Sequence, residues 1–129
     1  MSKRRQVAKK IARGLKGYTP TKVTKEVMDT LFRGGWSGLR IGNSVGRKQQ
    51  IDAKWKRVTL KPGASPIHIS IFVDTIAQRP GQYGSGGVTR IVVVAQTSKG
   101  KHLGNFPATR LLSVKQATQL VARELRSTL

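Results

Sequence analysis

Residues 67–77 read IHISIFVDTIA. Ile67, Ile69, Ile71 and Val73 recur at every second position, the period at which a strand puts its side chains on one face. The segment after it, VTRIVVVAQTS (88–98), is more apolar and rich in β-branched residues, which suit a pleated surface. Between them QRPGQYGSGG (78–87) reads as a loop too long for a tight hairpin. On the N-terminal side, PGASP (62–66) has turn chemistry. Before it IDAKWKRVTLK (51–61) alternates again, but its apolar set moves from Ile51, Ala53 and Trp55 to Val58 and Leu60. A phase slip between 55 and 58 predicts a bulge or a strand end. KGKHLGNF (99–106) reads as a turn and a short strand. These segments predict an antiparallel sheet of three to four strands.

Helical periods flank the sheet. In YTPTKVTKEVMDTLFRGG (18–35), Thr19 suits an N-cap and Pro20 the first helical position. Val23, Val27, Met28, Leu31 and Phe32 form the apolar side, and Gly34 and Gly35 end the helix. GWSGLRIGNSVGRKQQ (35–50) has glycine at four positions and reads as irregular, tacked to the core by Trp36, Leu39 and Ile41. At the end of the chain, Ser113 and Gln116 make a capping box, with Val114, Ala117, Leu120, Val121 and Leu125 on one face. Residues 2–16 carry a narrow stripe of Val7, Ala8, Ile11, Ala12 and Leu15, a helix too short to be stable alone in water. The expected organisation is a basic arm or helix at 1–17 and a single α+β domain at 18–129. Basic N-terminal helices precede the sheet, and the C-terminal helix packs on one face of it.

Charge bounds the function. The 129 residues include 25 Lys and Arg against five Asp and Glu, a net charge of +20. A chain so charged repels itself, and a polyanion is the partner that relieves the repulsion. Cysteine is absent, which excludes disulfides, thiolate metal sites and a cysteine nucleophile. No stretch has the roughly 18 apolar residues of a membrane span, and the N-terminus lacks a signal-peptide core. The expected location is intracellular, in cytoplasm or nucleoid, or inside a virion, and not secreted.

Catalytic patterns are poor. Glu26 and Asp29 lie three apart on one helix, where Lys22, Lys25 and Arg33 can pair with them. His68 and His102 have no carboxylate nearby in sequence and form no H-E-x-x-H or H-x-x-x-H. GQYGSGG (81–87) lacks the lysine and the strand-to-helix setting of a phosphate loop. The acids do not cluster as a metal nuclease would need. No enzyme, cofactor or metal is expected.

The basic residues do cluster. Lys3, Arg4, Arg5, Lys9, Lys10, Arg13 and Lys16 precede any acid. Lys54, Lys56 and Arg57 surround Trp55, while Arg79 and Tyr83 share the long loop with Arg90 just past it. Lys99 and Lys101 sit beside His102 at the last turn. Rings are scarce, so backbone and shape recognition is favoured over base reading, with Trp55 and Tyr83 as the stacking candidates.

Two stretches resemble the double-stranded RNA-binding domain. Pro66, His68 and Phe72 in SPIHISIF match its Pro-x-His-x-x-x-Phe pattern. Ser113, Lys115, Ala117, Gln119 and Ala122 in SVKQATQLVA match the start of its last helix. Val114 and Thr118 stand where two family lysines would be, and the chain is longer between Phe72 and Ser113. The resemblance implies an α-β-β-β-α order, with His68 near a minor groove and Lys115 on phosphates.

The sequence thus predicts a non-catalytic nucleic-acid-binding protein, RNA favoured over DNA, with no membrane partner. A homo-oligomer is expected, since a small sheet needs cover for its second face. The alternatives are a viral coat or nucleoprotein subunit packaging a genome through its arm, and a single-stranded DNA-binding protein. About eight phosphate contacts predict a slope near −7 for log affinity against log salt on duplex DNA. Deleting residues 2–16 is expected to weaken this binding far more than it lowers the melting temperature. Salt-titrated binding and thermal unfolding of the truncated protein check it.

Overall fold

The strand β4 (Ile67–Ile76) has partners along both edges, and the rest of the sheet is arranged around it. The structure, a computed structural model, describes residues 22–42, 48–76 and 87–126. On one side β4 pairs with β5 (Gly87–Thr97), which pairs with β6 (His102–Ala108). On the other it pairs with β2 (Lys48–Asp52) and β3 (Lys56–Val58), and β2 carries β1 (Arg40–Gly42) on its outer edge. Every pairing is antiparallel, in a sheet of six strands. The helices α1 (Lys22–Arg33) and α2 (Val114–Arg126) stand before and after it in the chain.

The expectation of three to four strands is corrected to six. β1 is three residues long in a glycine-rich stretch, too short for any period to show. β2 and β3 are successive pieces of one run against β4. Asp52 pairs with Phe72 and Lys56 with Ile69, so four steps on the outer strand meet three on β4. The extra residue is a bulge, as the slip in alternation predicted. It falls at 53–55, earlier than expected. Ala53 still donates to Ile71 O at 3.1 Å, but Lys54 N turns away to Ser37 O at 2.9 Å. Trp55, expected on the apolar face with Ile51 and Ala53, is therefore 41% exposed. The expected helix at 2–16 lies outside the described residues, as do Thr19 and Pro20, the cap and first position read for α1.

One face of the sheet makes the core. Ile67, Ile69, Ile71 and Val73 of β4, Ile91, Val93 and Ala95 of β5 and Ile51 of β2 are buried on it. Val27, Met28 and Leu31 of α1 and Ala117 and Val121 of α2 bury against the same cluster. Thr24 of α1 donates to Gln49 Oε1 of β2 at 3.2 Å, inside this layer.

The two helices meet at their ends. Trp36 N bonds Leu31 O at 3.1 Å and Gly35 N bonds Phe32 O at 3.1 Å, a Schellman closure of α1 with Gly35 at φ 93°. Gly34 O then accepts from Val114 N at 2.8 Å. A Cβ on Gly34 would lie 3.0 Å from Ser113 Cα, so a side chain there would press the two backbones apart. The buried Trp36 indole donates Nε1–H to Leu112 O at 2.9 Å. The Ser113–Gln116 capping box forms as predicted, at 3.1 and 3.0 Å, and starts α2 at this junction.

Trp36→Phe removes that donor and leaves a void beside a buried carbonyl. It is expected to lower unfolding stability by roughly 2–4 kcal/mol. Urea unfolding with an unchanged denaturant slope checks the value.

Candidate nucleic-acid interface

Alternate positions of the same strands face away from the core. The register aligns them into four rows across the sheet. Gly42, Gln50, Asp74 and Arg90 form the first, and Arg40, Asp52, Phe72, Val92 and Pro107 the second. Ser70, Val94 and Asn105 form the third, flanked by the bulge. Arg57, His68, Gln96 and His102 form the fourth. Phe72, Val92 and Val94 are only partly buried and do not belong to the core cluster. Among the described residues no helix packs on this face.

Its charge is uneven. The first two rows hold two carboxylates, and each is bound by an arginine. Arg90 Nε meets Asp74 Oδ2 at 3.0 Å and Arg40 Nε meets Asp52 Oδ2 at 2.9 Å. Both arginine side chains stay largely exposed although each is anchored at Nε. The third and fourth rows have no acid. Beyond the fourth row lies the β5–β6 turn with Lys99 and Lys101, closed by Thr97 N to Lys101 O at 2.8 Å and by Gly100 at φ 92°. One end of the face is thus cationic and hydrogen-bonding, and the other is neutralised in place.

The bulge shapes the third row. Gly38, at φ 61°, lets the 36–39 segment lie so close that an added Cβ would be 2.7 Å from Lys54 Cβ. Ser70 Oγ donates to Ala53 O at 2.6 Å and pins the other side. A cleft of about 360 Å³ results, lined by Gly38, Arg40, Asp52, Lys54, Trp55 and Phe72 among others.

The structure brings Lys54, Trp55, Arg57, His68 and Arg90 onto this face, with Lys99 and Lys101 at its end. It does not bring Lys56 or Lys115 there. Lys56 pairs with Ile69, which puts it on the helix-covered side at the sheet edge, because the bulge reverses the phase expected for it. Lys115 is exposed on the first turn of α2. The sheet therefore stands between His68 and Lys115. Lys3, Arg4, Arg5, Lys9, Lys10, Arg13, Lys16, Arg79 and Tyr83 lie outside the described residues. Sequence reasoning missed Arg40, Phe72 and Gln96. Phe72 had a signal, being an apolar ring in the phase of β4 that holds His68, Ser70 and Asp74. Arg40 had none, since β1 was read as irregular.

Among the described residues no three His, Asp or Glu side chains group to hold a metal, and no helix is long and apolar enough to cross a membrane. No family model, curated protein or solved structure matches this chain.

Proposed function

We propose that the protein is a non-catalytic nucleic-acid-binding protein, with RNA favoured over DNA, and that the uncovered sheet face is its contact surface. The observation that carries this reading is the treatment of charge on that face. Its only two carboxylates among the described residues are each bound to an arginine, and half of the face has no acid. A surface kept free of unpaired negative charge in a chain of net charge +20 suits phosphate. Arg40 and Arg90, held at Nε, offer two terminal nitrogens in the planar fork that fits a phosphate. Arg57, Lys54, Lys99 and Lys101 extend the cationic surface along the acid-free end.

The resemblance to the double-stranded RNA-binding domain supports RNA. Its mode of contact needs His68 and Lys115 on one ligand, whereas the sheet-face mode uses Arg57 and Arg90 and leaves Lys115 aside. Two substitution sets separate them. Arg57→Ala and Arg90→Ala are each expected to weaken binding on all sequences and to reduce the salt slope by about one. Lys25→Ala and Lys115→Ala, on the helix layer, are expected to leave the slope unchanged. Affinity for RNA at several salt concentrations checks both sets. Dependence on Lys115 without dependence on Arg57 rejects the sheet face. Binding that ignores salt rejects phosphate recognition altogether.

A further inference from the structure

Trp55 is the feature least explained by folding. The chain has two tryptophans. Trp36 is 2% exposed with its Nε1–H bonded to Leu112 O. Trp55 is 41% exposed, on a bulge held from both sides. It shares its cleft with Phe72, whose ring sits on the uncovered face outside the core cluster. The cleft also holds Lys54 and Arg40, the latter anchored to Asp52 with its side chain 78% exposed.

We infer that this cleft takes an unstacked base of a single-stranded nucleic acid, with Trp55 as the stacking platform and Lys54 and Arg40 on the flanking phosphates. The inference rests on the proposed nucleic-acid binding and names the strand and the site. A duplex keeps its base faces stacked inside the helix and cannot offer one to a protein ring without unpairing, whereas a single strand can. Aromatic rings beside cations are the elements that single-strand binders combine. The rim charge also selects this occupant over a second copy of the chain. Pairing two such faces would set Arg40, Lys54, Arg57 and Arg90 against their own kind, and the two carboxylates are already bound. The bulge supplies rigidity. Gly38 closes against Lys54, and Ser70 bonds Ala53 O, so the backbone that carries the ring is held in place before a base arrives.

The test uses the full chain with 12-residue oligo-U, oligo-dT and a duplex of equal length. Intrinsic fluorescence reports Trp55, because Trp36 is sealed in the core. Single strands are expected to quench it and the duplex to leave it unchanged. Trp55→Ala is expected to weaken single-strand binding about tenfold, as loss of one stacked base does. Its salt slope and its duplex affinity should stay as in the parent. Trp55→Phe, which keeps a ring, should retain most of the affinity. A larger effect with oligo-U than with oligo-dT assigns the site to RNA, and the reverse assigns it to DNA. The inference is overturned if Trp55→Ala binds single strands like the parent while salt-dependent binding persists. It is equally overturned if Trp55→Ala turns an oligomer into a monomer by sedimentation, because the ring then serves a subunit contact. Absence of binding to all three probes at low salt overturns the broader reading as well.

Discussion

The end of α1 and the start of α2 are joined at Gly34, Trp36, Leu112 and Val114, and the layout of the protein depends on that junction. Gly34 O receives Val114 N–H, and the Trp36 indole reaches Leu112 O from inside the core. Segments far apart in the chain are thereby held side by side on one face of the sheet. Both helices bury their apolar stripes there, against Ile69, Ile71 and Val93. An antiparallel sheet tolerates this arrangement because its other face can stay wet. Apart from Ser70, which is buried and holds the bulge, the side chains on that other face lie outside the core cluster, and their chemistry can serve recognition.

Electrostatics and strand irregularity act together on the free face. A sheet with perfect alternation would have placed Trp55 inward with Ile51 and Ala53. One extra residue reverses the phase, turns Trp55 out and sends Lys56 to the helix side. Further shifts lie between Asp74 and Thr75 and between Ala95 and Gln96. The first accompanies the Asp74–Arg90 pair, and the second leaves room for Leu103 to pack against the core. Neither exposed arginine pair adds much to stability, because water screens it. Its effect is to cancel a carboxylate and to fix the direction of a guanidinium.

The alternation in 67–77, the apolar run in 88–98 and the capping box at Ser113 were legible because each is a local pattern with one physical meaning. The slip in 51–61 was legible as a slip. Its position was not, since the alternation is compatible with a break anywhere from Ala53 to Val58 until Ile71 O accepts from Ala53 N and Ser37 O from Lys54 N. β1 was hidden because three residues among glycines carry no period.

The alternation of β4, the apolar run of β5, the glycine stop of α1, the capping box of α2 and the large surplus of positive charge are properties of neighbouring residues or of simple sums, and a linear reading reaches them. Which cations share a surface was decided only by tertiary structure. Arg57 and His68 meet because β3 and β4 align in register, Arg90 comes onto the same face at its far end opposite Asp74, and Lys115 is excluded because its helix packs behind the sheet. Register and layer arise from contacts between residues distant in the chain, and no local pattern encodes them.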